Sequence, residues 1–416
     1  MSAATRRVEH VTCLGCGCAC DDITVVLQHD RIGEARNACA LGAAWFGDGT
    51  MTPDVRVHGR TAPLEQALDE AARLLRAAQR PLVYLAADLS CEAQREAVAL
   101  GDRLGAMLDS VSSGAAAGIL AAQRRGRAAA TLGEIRQRAD VIVFWGTDPA
   151  ERYPRFTSRY AVEPQGLQTP EGRRSRTVIA VDVGARRGPG DAAARVAVAP
   201  GDEMDALGVM RATVQGRVAT DHERFRSAVE LARRMSAGRY VALVADGEPG
   251  AAPADPDVAE ALVTLAQALN APTRCALVVL RGGGNRSGAD AVFTWQTGFP
   301  FAVDFAPGYP TYRPQPGAVA LLAAGEIDAA LVIGSPASVP EPMATGLAPL
   351  VTVAIGPRVS AASFKPAVAL DTGIAGIHEG GTAFRMDDVP LPLRPVLTGP
   401  PTAAGALRSL RERLGA

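Results

Sequence analysis

From about residue 55 onward the chain alternates two patterns. Short apolar runs of five or six residues recur at 81–86, 141–145, 178–183, 240–245, 276–280, 329–333 and 351–355. Between them lie stretches rich in Ala, Arg and Glu whose apolar residues repeat every three to four positions, at 64–78, 91–104, 203–213 and 256–269. The first pattern predicts strands buried on both faces and the second predicts amphipathic helices. Their alternation predicts an α/β fold with parallel sheets covered by helices. Residues 1–54 differ: they hold one short apolar run at 23–27 and end in Asp48-Gly-Thr-Met-Thr-Pro53, a turn-rich boundary.

Several runs end in turn formers, as at Trp145-Gly146-Thr147-Asp148-Pro149, Val183-Gly184 and Ile333-Gly334-Ser335-Pro336. The carboxyl edge of an open α/β sheet is where ligands sit, although strands must in any case end in turns. Residues 281–314 show neither period. They carry 7 of the 19 aromatic residues in a Gly- and Pro-dense segment, which predicts a long irregular loop lining a pocket or anchoring a partner.

Length and composition narrow the class. A chain of 416 residues predicts two to four domains, and 48% apolar with 21% charged residues predicts a sizeable globular core. Formal net charge is -1, with no basic stripe and no basic amphipathic helix, so neither nucleic acid nor a membrane surface is an expected partner. Lys365 is the only lysine, a bias of base composition rather than of chemistry. No signal core follows the opening arginines, and no run approaches the roughly 20 apolar residues of a spanning helix, so the expected location is cytoplasmic.

Five of the seven cysteines fall in the first 39 residues. In a reducing compartment such crowding points to metal rather than to disulfides. Cys13, Cys16, Cys20 and Cys39 read C-x2-C-x3-C-x18-C, a spacing that lets one loop wrap three corners of a [4Fe–4S] cube while a distant thiolate closes it. Gly15 and Gly17 supply the freedom that wrapping needs. Zinc is the alternative for four thiolates, though two separated knuckles are missing, and an empty, vestigial site is another. Cys18 is a fifth thiol able to replace Cys16 or Cys20. Cys91 and Cys275 fit buried structural thiols. His10, His29, His58, His222 and His378 show no ligand spacing, and neither a Ser/His/Asp set nor a phosphate-binding G-x4-G-K-[ST] loop occurs.

A cysteine module ahead of α/β units resembles molybdopterin- and tungstopterin-dependent oxidoreductases. Particular strings resemble the B subunits of the formylmethanofuran dehydrogenase family. They include CDDI at 20–23, NAC at 37–39, TLGEI at 131–135 with RAD at 138–140, and WG at 145–146 with PAE at 149–151 and PR at 154–155. VFTWQTG at 292–298 continues into PFAVDF at 300–305 and GYP at 308–310, and IAGI at 374–377 precedes GTAFRMD at 381–387. The resemblance implies an iron–sulfur module at 1–54 and two interleaved Rossmann-like domains of the molybdopterin oxidoreductase type. The first would comprise 55–110 and 290–416, and the second would be inserted at 111–289.

In redox members of that family, two pterin dithiolenes and one cysteine or selenocysteine hold tungsten or molybdenum. The corresponding stretch here, residues 109–120, places Ala115 at the ligand and Ala116 at a neighbouring histidine. A methyl group neither tunes a metal nor moves a proton. The glycines at 282–284 stand where relatives carry more functional side chains. The resemblance therefore implies a protein without tungstopterin or molybdopterin, similar to the B subunit of bacterial formyltransferase/hydrolase complexes, with A, C and D subunits as partners. There the formyl group passes from tetrahydromethanopterin to a methanofuran analogue and leaves as formate. The other readings are a redox-active tungsto- or molybdo-enzyme, and an iron–sulfur electron carrier. If no electron moves, the quartet would persist as a staple for a small module, and Cys13→Ala or Cys39→Ala would weaken assembly.

Overall fold

The computed structural model describes residues 5–217, 223–253 and 255–415. The chain forms two compact units, one inserted in the other. The first comprises 1–113, 283–385 and 390–416, and the second 114–282 with 386–389. The insertion therefore runs from 114 to 282, beside the 111–289 expected, and the cysteine-rich segment falls within the first unit.

The first unit is built on a nine-stranded mixed sheet. Its five central strands, Met107–Ser110, Pro81–Leu85, Ala329–Ile333, Val351–Gly356 and Val368–Asp371, are parallel in that spatial order. In register, Leu331 lies between Val83 and Val353. All three are fully buried on one face, and Leu82, Ala330 and Ala354 are fully buried on the other, which is why these strands read as unbroken apolar runs. Short antiparallel strands close each edge, Val303–Asp304 and Thr311–Tyr312 on one side, Val55–Val57 and Arg60–Thr61 on the other. Helix Leu64–Ala77 lays Ala67, Leu68, Ala71, Ala72 and Leu75 on this core, one stripe at helical spacing. Helix Cys91–Leu104 starts where the Ser90 side chain accepts from the Ala93 N–H, and it stops at Gly105, which is left-handed.

Two smaller sheets complete this unit. Thr5–Val11, Ile23–Gln28 and Arg31–Arg36 form an antiparallel meander, and Gly381–Phe384 pairs with Pro390–Leu393. The second unit is a five-stranded, wholly parallel sheet in the order Ala194–Val198, Thr177–Val183, Val141–Trp145, Val241–Asp246, Cys275–Leu280. Its core is Val143, Ile179, Leu243 and their neighbours under helices Glu203–Val214, Arg226–Ala237 and Pro256–Leu269. The α/β class expected from the alternating pattern is the class observed.

One expectation is corrected. Residues 281–314 are not a long irregular loop: they contain helix Arg286–Thr297 and the two edge strands named above. The buried face of that helix is Ser287, Gly288, Ala289, Val292, Phe293 and Thr297. Ser287, Gly288 and Thr297 occupy half the stripe, so the apolar period is masked. No helix among the described residues is long and apolar enough to cross a membrane.

Candidate functional site

The five N-terminal cysteines come together. The loop closes on itself through Cys13 N–H to Cys20 O (2.9 Å) and Ala19 N–H to Cys16 O (3.1 Å). Ala19 takes a left-handed conformation (φ 37°) to turn the chain between Cys18 and Cys20. Cys39 arrives from elsewhere, as the residue that starts helix Ala40–Phe46, with Ala43 N–H bonded to its carbonyl. Its approach is set by Asn37, left-handed at φ 66°, whose side chain donates to Asp22 O. The helix then rests on the loop. A Cβ on Gly42 would lie 3.2 Å from the Cys13 sulfur and 3.9 Å from that of Cys39, and a Cβ on Gly15 would lie 3.0 Å from Leu41 O.

Cys13, Cys16, Cys18 and Cys20 are buried and Cys39 half-buried. Burial, reinforced by the neighbouring thiols of Cys16, Cys20 and Cys39, pushes the Cys13 thiol far above its ordinary range. The Gly15 N–H, which donates to its sulfur at 3.4 Å, acts the other way. Cys18, hydrogen-bonded to Cys16 and buried, is raised as well. Metal-free, Cys13 and Cys18 are inert thiols, because it is the thiolate that reacts and ligates. Among the described residues, no three Cys, His, Asp or Glu side chains are set to hold a single metal ion. A tetrahedral zinc site needs its sulfurs about 2.3 Å from one point. A cube offers one iron to each sulfur and suits thiols spread around a loop.

The serine–alanine loop follows strand Met107–Ser110. Asp109 lies at the end of that strand, 1% exposed, and its carboxylate accepts from the N–H groups of Ser110 (2.8 Å), Ala302 (3.3 Å) and Ala318 (3.2 Å). Burial still outweighs these bonds and raises its pKa to about 6. The hydroxyls beyond it are spent on backbone, Ser113 on Ser110 O and Ser112 on Arg286 O. Ala115 closes a single turn, Val111–Ala115, and stands buried at the start of helix Ala116–Arg125 with no side-chain cap. Ala116 is half-buried. Neither position offers a donor atom.

The second unit holds two polar features at the carboxyl edge of its sheet, where the resemblance gave no specific residues. Asp246 accepts from Tyr153 (3.2 Å), Arg152 (3.3 Å) and the Glu248 N–H (2.9 Å). Glu248, 1% exposed, in turn accepts from Arg281 (3.2 Å) and the Gly282 N–H (2.8 Å). Burial raises the pKa of Asp246. These groups lie at the ends of adjacent strands far apart in the chain, and only their shared strand-end placement could have flagged them. A cavity of ≈ 400 Å³ in the same unit is lined by Gly184, Arg186, Gly201, Glu203 and Asp255. Glu203 there accepts from Trp145 Nε1 (2.8 Å) and Arg186 (2.5 Å).

The remaining candidates stay outside these clusters. Burial pushes the thiol of Cys91 up to about 11 and that of Cys275 up to about 12, as structural thiols require. His29 and His58 are exposed at turns, His10 is exposed at the irregularity of strand Thr5–Val11, His378 is half-buried against Gly49 O, and His222 lies outside the described residues.

No family model matches the chain. The B subunits of tungsten-containing formylmethanofuran dehydrogenase 2 from two organisms resemble it along its length. That of Methanocaldococcus jannaschii is 33% identical over 415 residues, covering 95% of each chain. That of Methanococcus maripaludis is 31% identical over 413 residues, covering 94% of each. The B subunit of the formyltransferase/hydrolase complex Fhc of Methylorubrum extorquens is 30% identical over 384 residues, covering 86% of this chain and 97% of that protein. Among solved structures, a chain of the Methylorubrum extorquens formyltransferase/hydrolase complex (FhcABCD), crystallised with methylofuran, superposes with a TM-score of 0.72. It is 29% identical, and the match covers 86% of this chain and 98% of that one.

Proposed function

Because the chain belongs to the family of formylmethanofuran dehydrogenase B subunits, we propose that it is the B subunit of a formyltransferase/hydrolase complex and contributes structure rather than redox chemistry. The observation that carries this reading is Ala115. The loop spanning 112–118 has no sulfur or imidazole, and no cysteine occurs between Cys91 and Cys275. Its serines are bonded to backbone. These residues do not fit a pterin-bound tungsten or molybdenum held by a protein thiolate.

Partner A, C and D subunits would then carry out transfer and hydrolysis of a formyl group on a methanofuran-type carrier, with formate as product. The two units, one on a mixed sheet with a parallel centre and the other, inserted in it, on a wholly parallel sheet, support domains of the molybdopterin oxidoreductase type that persist as a scaffold. Fold alone does not carry activity; the site does.

The cysteine loop fits a different group. Cys13, Cys16, Cys20 and Cys39 are proposed to hold a [4Fe–4S] cluster, with Cys18 as a hydrogen-bonded neighbour of Cys16. Such a cluster would supply either one-electron transfer or a covalent cross-link. The gathered thiols and the Gly15 N–H on the Cys13 sulfur favour a second reading, an electron-carrying protein.

Metal analysis of the complex purified from its native host separates the readings. The expected result is no tungsten or molybdenum, about four irons per copy of this chain, and formate release without viologen reduction. Stoichiometric tungsten or molybdenum together with viologen-linked formate oxidation would overturn the scaffold reading. A reversible iron–sulfur EPR signal would move the assignment to electron transfer.

A further inference from the structure

The glycine run ahead of Asn285 has no part in the proposed function, where it merely replaces side chains of redox relatives. Its backbone makes close contacts that no side chain would permit. A Cβ on Gly283 would sit 2.2 Å from Leu14 O, 2.7 Å from Cys16 N and 2.8 Å from Cys16 Cα. Gly284 donates its N–H to Leu14 O (2.9 Å), and its own carbonyl accepts from Asp88 N–H (2.9 Å). A Cβ on Gly284 would meet that of Ala87 at 2.3 Å, and its φ of +72° disfavours any side chain.

Asn285 locks the far end. It is 3% exposed and left-handed (φ 63°). Its side chain donates to Leu89 O (2.8 Å) and accepts from Phe384 N–H (2.7 Å). The ring closes through Asp88, which accepts from Trp45 Nε1 (3.3 Å) on the helix that Cys39 begins. Leu14, Gly284, Asp88, Trp45 and Cys39 thus follow one another through direct bonds and short peptide links.

We infer that Gly283, Gly284 and Asn285 form a backbone clamp that shapes the cysteine loop before any cluster binds, so that the order of the loop rests on the clamp and not on metal. The clamp deepens the cluster proposal and rests on it only for what the loop holds. It opposes the expectation that the cluster is the staple of the N-terminal module. Small metal sites commonly fold only as metal binds. A loop fixed from outside has its ligands pre-placed.

The test uses the intact complex and three variants: Gly283→Ala, Cys13→Ser, and Gly208→Ala as a helix-surface control with open space around it. Iron and acid-labile sulfide per chain, the visible and EPR signature, and hydrogen exchange at the Cys13, Ala19 and Gly284 amides are measured. Cys13→Ser is expected to lose the iron–sulfur signature while those amides keep wild-type protection. Gly283→Ala is expected to lose the signature and to exchange about tenfold faster at those amides, with assembly and helix content equal to Gly208→Ala. Retained protection in Gly283→Ala, or equal loss of protection in Cys13→Ser, overturns the clamp. A wild-type complex without iron would refute the cluster, while exchange in Gly283→Ala still decides the clamp. Should Gly283→Ala fail to assemble, Trp45→Phe removes one bond of the ring. Faster exchange confined to those amides then supports the clamp, and unchanged exchange overturns it.

Discussion

Asp109 makes the stability of the first unit depend on pH in a direction opposite to an ordinary salt-bridged carboxylate. Its carboxyl is buried and its pKa is raised from 3.8 to about 6. Each pKa unit corresponds to about 1.4 kcal/mol, so the shift is equivalent to about 3 kcal/mol. The folded state holds the proton more tightly than the unfolded state. The contribution is therefore fully present below pH 3.8, is lost as pH rises through 6, and levels off above that. Asp109→Asn keeps the shape and removes the titration. The amide turns one acceptor into a donor facing the N–H of Ala302 or Ala318, a cost of about 1–3 kcal/mol that does not vary with pH. Urea titrations of both proteins between about pH 4 and pH 7.5, followed by tryptophan fluorescence, give the difference in stability. That difference should move by about 2.4 kcal/mol in favour of the asparagine variant between pH 4 and pH 7, the rest of the shift lying below pH 4. A difference that stays constant across this range, or moves the other way, would show that burial does not dominate at Asp109.

Ser90→Ala removes the cap of helix Cys91–Leu104 and the donor to buried Glu379 (2.8 Å), and should cost about 2 kcal/mol in urea denaturation. Glu248→Ala removes the acceptor of the 3.2 Å bond from Arg281 and of the Gly282 N–H, and should destabilise the second unit by about 1.5–3 kcal/mol, read as faster proteolysis within 114–282. Burial lowers the pKa of His378, whose ring accepts from Ile374 N–H and donates to Gly49 O, so its contribution is intact above 6.5 and is lost as pH falls below that value. His378→Gln should flatten that acid limb of a melting-temperature profile, and an unchanged limb would assign it to other groups.

The central strands were legible because burial on both faces turns a strand into an unbroken apolar run, as in Pro81–Leu85 and Ala329–Ile333. Edge strands were not. Ala194–Val198 and Thr5–Val11 are half exposed and carry arginines, so they resemble loops in a linear reading. The thiol cluster was legible from spacing alone, since five cysteines within 39 residues have few places to go. Ala115 was legible only through resemblance, because an alanine announces nothing by itself. The clamp was invisible for a related reason: its contacts are made by backbone, and the glycines signal what is absent. The Arg152–Asp246–Glu248–Arg281 cluster escaped because its members meet only when parallel strands bring distant turns together.

Pairing of Pro81–Leu85 with Ala329–Ile333 places both partners of a central ladder on opposite sides of the inserted unit. During synthesis the ribosome delivers all of 114–282 before the second of those strands exists. The inserted unit can thus close while the earlier half of its host still waits with Val83 and Leu85 unpaired on one side. Closing the host ladder across a disordered connection of that length would cost more entropy than closing it across an already compact one. Nascent-chain order is therefore written into the topology: all of the later-starting unit except its 386–389 strip is delivered before the chain that completes its host.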